Sequence, residues 1–361
     1  MEQSVSLSTF YATVPYVSII LAVAITCANG VVLAAFFVNR HLRTPFNCYL
    51  ISLILSDIGQ AALDMPFTIL SGFQPVWPLG HVACNFNLYA KWVYVAAVRN
   101  THALISLNRI WALFWPVSYK HYHTKSTAIW LCVGTWVYVH VWLMPGLVPD
   151  AMVWRKDDGT CFVNTTAQPV WAMTTQMCLY NLTLVIITVT YPFIWWKIRQ
   201  RRKLIVPRVG FTNTTSCEQG TTQNGQSIQP TCGPTIGSVA TEVDINNIDE
   251  DEAPDTSPNI ASGQSFQKTL GKGVMTSSKS SQSFAVLTYL VLGVVFCWTP
   301  IMTFFTVADF TDFNNNLLFI IGSLLYYSNS LLDPIFFCIA IRPLRATVLG
   351  FFHRRNLCTC N

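Results

Sequence analysis

Seven long apolar stretches alternate with polar segments along the chain. They cover residues 14–38, 47–71, 82–115, 127–149, 169–196, 282–308 and 315–341. A helix needs roughly 20 mainly apolar residues to cross a bilayer, and each stretch reaches that length. The pattern therefore predicts an all-α membrane protein in which seven transmembrane helices, called the first to seventh spans below, form one bundle.

The third span is the most polar of the seven. It carries Lys91, Arg99 and His102 within a stretch that is otherwise suited to a membrane. A charged side chain that faces lipid is costly. We therefore expect the third span to be surrounded by the other helices, as the central element of the bundle.

Composition supports the membrane interpretation. Residues are 52% hydrophobic and 11% charged, and mean hydropathy is +0.40, whereas about 25% of a typical soluble domain is charged. The net charge of +5 is weak support for a nucleic-acid partner, and we expect none. The twelve cysteines are dispersed, and no spacing suggests a metal or a cofactor. No nucleophile–base arrangement indicates an enzyme.

Basic residues between the spans predict the orientation. With the N-terminus outside, all but four of the 22 Lys and Arg residues lie on the cytoplasmic side. Arg155 and Lys156 fall outside, and Lys91 and Arg99 lie within the membrane. Positive charge collects on the cytoplasmic side of membrane proteins, so we expect an extracellular N-terminus, a cytoplasmic C-terminus and a place in the cell membrane.

The chain divides into three parts on this basis. Residues 1–13 form an extracellular N-terminus, and 14–341 form the membrane domain. Residues 204–280, rich in polar residues, are expected to form a disordered cytoplasmic loop within that domain. Residues 342–361 are expected to form a short amphipathic eighth helix on the membrane lipid and a tail, with Cys358 and Cys360 as candidate palmitoylation sites.

Motifs in six of the spans occur in a characteristic order. They are Asn29-Gly30 in the first span, Leu53 and Asp57 in the second, Asn108-Arg109-Ile110 in the third, Trp136 in the fourth, Cys297-Trp298-Thr299-Pro300 in the sixth, and Asp333-Pro334-Ile335-Phe336-Phe337 in the seventh. In these motifs the chain resembles the rhodopsin-like (class A) G-protein-coupled receptors. The stretch 108–120 is also similar to muscarinic-type receptors. The resemblance covers the chain except for its termini and the long loop.

The resemblance implies roles for several residues. Cys84 and Cys161 would form a disulfide over the mouth of the bundle, Arg109 would engage a heterotrimeric G protein, and Tyr191 would approach that arginine on activation. Arrestin and receptor kinases are further implied partners. Pro300 removes a backbone hydrogen bond and kinks the sixth span, so that Trp298 can sense a ligand. The alternatives are that Arg109 is an interfacial arginine and that Trp298 only fills the core.

Three positions depart from the family pattern. Asn108 replaces the acidic residue that usually precedes the arginine, which predicts raised signalling without ligand. Asp333 and Phe337 replace the usual Asn and Tyr beside Pro334. Asp57 and Asp333 would place two carboxylates near the membrane midplane, where like charges cannot both stay ionised cheaply.

A cation or a shared proton would relieve this repulsion. The family's sodium pocket uses polar residues of the third span, but Tyr94 and Val98 stand there. Arg99 could supply the positive charge in place of sodium, or it could have another buried partner. If Arg99 supplies the charge, sodium should have a weak effect or none.

Lys91 stands where amine receptors carry an aspartate, so a conventional amine ligand is disfavoured. Two interpretations are open: Lys91 binds an anionic group of the ligand, or it pairs with Asp64 of the second span. The remaining wall of a small-molecule pocket is expected to be mainly aromatic and apolar. Its residues are Trp92, Tyr180, Trp298, Ile301, Met302, Phe305, Ser323 and Tyr327.

Other functions are weaker interpretations. A retinal-binding protein would need a lysine in the seventh span, and 315–341 contains none. A transporter is disfavoured by the odd number of spans and the absence of an internal repeat. A short-peptide receptor and a non-signalling protein of seven helices remain alternatives to a small-molecule receptor. Asn164 begins a glycosylation sequon in an outer loop.

Overall fold

Seven long helices make up most of the structure, a computed structural model that describes residues 2–74, 76–147, 152–155, 160–163, 168–204, 288–308, 311 and 315–355. The first and second spans are Glu2–Val38 and Pro45–Phe73, and the third is Gly80–Phe114. The fourth is Lys125–Leu147, and the fifth combines Pro169–Thr175, Gln176–Asn181 and Leu182–Leu204. The sixth is Thr288–Ala308, and the seventh is Asn316–Ala340. Short helices cover Arg40–Leu42, Pro116–Tyr122 and Arg342–Arg355.

Five of these helices are long and apolar enough by themselves to cross a membrane: the first, second, fourth, fifth and sixth spans. The seventh span meets the same criteria together with the final helix, from which it is bent by 105°. The third span is 35 residues long, about 52 Å at 1.5 Å per residue. It is long enough to cross a bilayer, but its polar residues make it less apolar than the five helices named above.

The polar third span lies at the centre of the bundle. It packs against the second, fourth and fifth spans. The first span packs against the second, the seventh and the final helix. Arg99, Asn100, Thr101 and His102 are all buried in the third span, whereas large apolar residues of the outer helices, such as Trp130 and Phe296, are exposed on the bundle surface. This distribution suits a protein whose solvent is lipid, and it agrees with the expected central position.

A disulfide between Cys84 and Cys161 confirms the pairing that the resemblance implied. Cys161 belongs to strand β2, Thr160–Val163, which pairs antiparallel with strand β1, Met152–Arg155. The disulfide attaches this small hairpin to the start of the third span. Nearby, Gly80 adopts a positive φ of 74°, which glycine tolerates. The end of the bundle that carries Cys84 is called the outer end below, and the end that carries Arg109 the inner end.

Two spans contain π-helical segments, Gln60–Asp64 in the second and Gln176–Asn181 in the fifth. In the second span, Pro66 cannot donate to the carbonyl one turn back, and its ring crowds that turn. A wider turn accommodates both effects. Such segments often lie at functional sites, and these two contain Asp64 and Tyr180, which both point into the bundle.

Two boundaries differ from the predictions. The first helix already begins at Glu2, so the N-terminal segment 1–13 is largely a continuation of the first span. The fifth span continues to Leu204, since the basic segment from Lys197 onward is part of the same helix. The helix Arg342–Arg355 exists, and its place on the membrane remains a prediction. Most of the loop 204–280, Asn164, Cys358 and Cys360 lie outside the described residues.

Candidate ligand pocket and switch residues

Several residues of the expected pocket lie together toward the outer end. The rings of Trp92 and Tyr180 are 5.8 Å apart, and the Tyr180 hydroxyl donates to the Trp92 carbonyl at 3.2 Å. Trp298, Ile301 and Met302 of the sixth span are buried. Arg99 joins these groups, because its guanidinium lies over the rings of Tyr180 and Trp298 and donates to the Met302 sulfur.

The other expected pocket residues lie toward its edge or on the seventh span. Phe305 is 38% exposed and stacks edge-on against Phe319 with centroids 6.0 Å apart. Ser323 is half-buried. Tyr327 is buried and donates to Asp64 at 2.8 Å, which ties it to the second span.

Lys91 is half-buried near Asp64 without a direct ion pair between them. The buried Asp64 carboxylate accepts hydrogen bonds from Tyr327 and from Thr68, the latter at 3.3 Å. Lys91 is the positive charge that acts on this carboxylate. Lys91 and Asp64 are therefore close enough to interact electrostatically but do not form a direct ion pair. Contact between Lys91 and a ligand stays a prediction.

Arg99 does not lie between the two midplane carboxylates. Its guanidinium lies among the rings of Tyr180, Trp298 and Tyr326, with its central carbon 5.0–5.5 Å from the three centroids. The suggestion that Arg99 replaces sodium is therefore wrong, and the alternative of another buried partner is correct. The physical reason is that the Arg99 side chain points toward the aromatic residues of the fifth to seventh spans, and not toward the carboxylates.

His102 takes the position beside the carboxylates instead. Its Nε2 lies 3.2 Å from one Asp333 oxygen, and both residues are at least 98% buried. Asn329 donates to Asp333 at 3.2 Å. Asp57 is fully buried within electrostatic range of Asp333 and lies beside Ser330. His102, and not Arg99, is therefore the side chain of the third span that contacts one of the two buried carboxylates.

Trp298 lies between the pocket cluster and the buried His102–Asp333 contact. Its indole ring is fully buried, 5.0 Å from the His102 ring in an edge-on arrangement and 5.5 Å from the Arg99 guanidinium. A ligand that displaces the Trp298 ring would therefore disturb the His102–Asp333 contact as well. The role of Trp298 in sensing a ligand stays a prediction, and Pro300 follows two residues later.

The inner end contains a second polar cluster around Asn108. The Asn108 amide donates to the Tyr49 hydroxyl at 3.2 Å and accepts from the Tyr119 hydroxyl at 3.3 Å. The guanidinium of Arg109 lies over the Phe46 ring, 3.3 Å from its centroid. Asn108 thus joins the third span to the second span and to the loop helix Pro116–Tyr122 by neutral hydrogen bonds.

His123 completes this inner cluster. Its Nε2 lies 3.0 Å from the Tyr49 hydroxyl, and its ring stacks on Tyr119 with centroids 4.2 Å apart. Burial, together with the positive charge of Arg109, lowers the pKa of His123 to about 4. The imidazole is therefore neutral at physiological pH.

The remaining switch residues lie in the inner halves of the spans. Phe337 is fully buried in the core, and Pro334 is buried within the seventh span. Tyr191 is partly buried and packs against the core, directly before Pro192 in the fifth span. No group of three or more His, Cys, Asp or Glu side chains able to hold a metal occurs in the part of the chain that the structure describes.

Comparison with known families identifies this arrangement. The family model for the 7 transmembrane receptor (rhodopsin family) matches residues 28–337. The chain belongs to this family. It is therefore a G-protein-coupled receptor, a multi-pass membrane protein with a seven-helix bundle, and not an enzyme.

Similar individual receptors do not select a ligand. The chain is 24% identical to the cholecystokinin receptor of Xenopus laevis over 354 residues, which are 90% of this chain and 73% of that receptor. It is 25% identical to the muscarinic acetylcholine receptor M2 of Gallus gallus, over 56% of this chain and 44% of the relative. It is 32% identical to octopamine receptor 1 of Lymnaea stagnalis, over 41% of this chain and 23% of that receptor. The chain thus spans less than half of the last two receptors, and the three names contain three different ligands.

Two functional candidates were not predicted as such from the sequence: His102 as the partner of Asp333, and His123. Both lie on either side of the Asn108-Arg109 motif: His102 is seven residues before Arg109, and His123 is fourteen residues after it. The signal for His102 was present, because an ionisable residue inside a span needs a partner there. The helical spacing of three between Arg99 and His102 does not reveal which one reaches Asp333.

Proposed function

We propose that this receptor transmits an extracellular small-molecule signal to heterotrimeric G proteins and that it signals appreciably without ligand. The observation that carries the proposal is the contact series from the pocket cluster through Trp298 to the His102–Asp333 pair. A change at the pocket can reach the inner half of the third and seventh spans through these buried contacts. Arg109, at the inner end, would contact the G protein.

The basal signal is proposed from the chemistry of Asn108. An aspartate at this position could pair with the neighbouring Arg109 and hold the inner end closed. The Asn108 amide instead makes two hydrogen bonds to tyrosine hydroxyls, and an amide cannot neutralise a guanidinium. A stabilising ion pair of the inactive state is thus replaced by neutral bonds, which shifts the equilibrium toward the active state.

The test compares ligand-free second-messenger output of wild type and Asn108→Asp at equal surface amounts. We expect output to fall about tenfold in the variant, because an ion pair worth about 1.4 kcal/mol changes a population ratio by that factor. Arg109→Ala serves as the control without G-protein contact and should give the background signal. An Asn108→Asp output equal to or above that of wild type would refute the basal-activity proposal.

A ligand like that of the cholecystokinin receptor is the second candidate, because that similarity covers 90% of this chain. A peptide would contact the outer loops more than the buried cluster. Responses of wild type and Lys91→Ala to libraries of small molecules and short peptides would separate the two candidates. Loss of one ligand class in Lys91→Ala would also assign the lysine to ligand contact.

We further propose arrestin and receptor kinases as partners of the Ser- and Thr-rich segment 204–280. Membrane lipid would contact the exposed apolar faces of the spans and the helix Arg342–Arg355. The proposed orientation has the N-terminus outside, as the distribution of basic residues indicates. In that orientation the disulfide and the β1–β2 hairpin lie in the oxidising compartment, where disulfides persist.

A further inference from the structure

Arg99 is a buried charge that the switch described above does not use. Its side chain is 3% exposed, near the middle of the third span. Three aromatic rings from three other spans surround the guanidinium: Tyr180 at 5.1 Å, Trp298 at 5.5 Å and Tyr326 at 5.0 Å. These cation–π contacts offset part of the cost of burying the charge.

The charge of Arg99 has no carboxylate partner among the described residues. The ion pair found there joins His102 and Asp333, and no carboxylate lies at ion-pairing distance from Arg99. Its Nη1 donates to the Met302 sulfur at 2.8 Å, the guanidinium also hydrogen-bonds the neutral Tyr326 side chain, and its Nε has no hydrogen-bond partner. A buried cation without a counter-ion is costly, so the site retains a large capacity to bind an anion.

We propose that Arg99 is the anion anchor of the ligand site and that the ligand is a small aromatic carboxylic acid. This rests on the function proposed above and specifies its ligand. A carboxylate matches the planar donor fork of an arginine. The Met302 thioether is a weak acceptor on a flexible side chain, and a carboxylate would replace it. The aromatic part would pack against the rings of Tyr180 and Trp92, which lie 5.8 Å apart.

Lys91 is the less suitable anchor. Its charge is already balanced in part by the nearby Asp64 carboxylate. Arg99 lies eight residues further along the third span, about 12 Å deeper in the bundle. A carboxylate bound there would contact the guanidinium that touches Trp298. Ligand binding would thereby act directly on the residue that connects the pocket with the His102–Asp333 pair.

The test uses purified full-length receptor and measures thermal unfolding with 3-phenylpropionate and indole-3-acetate at neutral pH. The corresponding primary amides are the matched uncharged probes. We expect both acids to raise the unfolding midpoint of wild type and the amides to have no effect. Affinity for the acids should fall at least about tenfold in Arg99→Gln, because hydrogen bonds to a charged group are worth about 1.5–3 kcal/mol. Lys91→Gln should change it less than about threefold.

Met302→Leu provides a second test that leaves the arginine intact. It removes the competing sulfur at nearly constant volume, so we expect the acids to bind as tightly as in wild type or more tightly. If Arg99→Gln does not fold, Met302→Leu and Arg99→Lys replace it in the test. We expect Arg99→Lys to bind the acids more weakly than wild type, because an ammonium lacks the planar donor fork. The proposal is overturned if no acid stabilises wild type, if amides act equally, if Arg99→Gln retains full affinity, or if the loss follows Lys91→Gln. Basal output of Asn108→Asp tests the proposed function separately, because it requires no ligand.

Discussion

His102 and Asp333 join the third and seventh spans through a fully buried contact of 3.2 Å. Removing the imidazole leaves a buried Asp333 oxygen without this partner, which costs about 1–3 kcal/mol, and more for a charged group. We therefore expect His102→Leu to lower the thermal unfolding midpoint of the purified receptor strongly. His102→Leu combined with Asp333→Asn should recover part of the loss, because the uncompensated carboxylate is then absent.

His140 is the matched control for this variant. It is half-buried in the fourth span, and its Nε2 lies 3.0 Å from the neutral Tyr89 hydroxyl. His140→Leu should cost only about 1 kcal/mol, the net value of an ordinary hydrogen bond. Equal losses in the two leucine variants would show that His102 contributes no more than a neutral side chain.

Sodium should have little effect on wild type, because the His102 imidazole already contacts Asp333 at 3.2 Å and takes up space beside this carboxylate. The measurement compares unfolding midpoints in sodium chloride and in the chloride of a large organic cation at equal ionic strength. His102→Leu removes this partner of the carboxylate, so sodium should stabilise the variant more than wild type. A sodium effect in wild type that disappears in Asp57→Asn would contradict this assignment.

His123 predicts a pH dependence of stability. Its pKa is lowered to about 4 in the folded receptor, below the ordinary value of 6.5, so the unfolded chain binds the proton more readily. The contribution is complete above pH 6.5 and is lost as pH falls from 6.5 toward 4. Partial solvent contact reduces its size to about 1–2 kcal/mol. Unfolding midpoints of wild type should fall more steeply over this range than those of His123→Gln, and parallel curves would contradict the prediction.

At the scale of helices, the second and third spans approach closely at Gly59. A Cβ added there would overlap the Tyr94 ring, whereas a Cβ at Gly30 of the first span would have no neighbour within 4 Å. Gly59→Ala should therefore destabilise the receptor by about 1–3 kcal/mol. Gly30→Ala, the matched control, should be neutral or slightly stabilising.

Tyr94→Leu should restore part of the stability in the Gly59→Ala background, since it shortens the side chain that the new methyl group meets. Thermal unfolding of wild type, Gly59→Ala, Tyr94→Leu and the combined variant forms a double-mutant cycle. Additive losses would mean that the two residues do not act on each other. Equal losses at Gly59 and Gly30 would mean that the close approach of the two spans is unimportant for stability.

Length and apolarity were sufficient to predict the helices because a bilayer imposes both on any spanning segment. The third span was predicted by the same length pattern, although it is the most polar of the seven stretches. The π-helical turn at Gln60–Asp64 could not be predicted, because it depends on how Pro66 and the packed neighbours share the strain. The directions of Arg99 and His102 likewise follow from tertiary packing, which sets the partner of each side chain.

At the scale of the whole molecule, orientation decides which loops meet the extracellular space. Asn164 directly follows strand β2, whose Cys161 is bonded to Cys84 at the outer end. Asn213 begins another sequon in the segment that follows the fifth span, which we expect on the cytoplasmic side. N-linked glycans are added only on the side that becomes extracellular. The two sequons therefore report opposite orientations of the same bundle.

We expect receptor from cells to carry one glycan, attached at Asn164. Asn164→Gln should shift its electrophoretic mobility to that of glycosidase-treated wild type, whereas Asn213→Gln should leave it unchanged. The positive charge supports this outcome, because the clustered basic residues at the end of the fifth span lie on the same side as Asn213. Loss of the glycan in Asn213→Gln but not in Asn164→Gln would reverse the orientation. It would place the disulfide and the proposed ligand entrance on the cytoplasmic side, and both the receptor mechanism and the Arg99 anchor would then fail together.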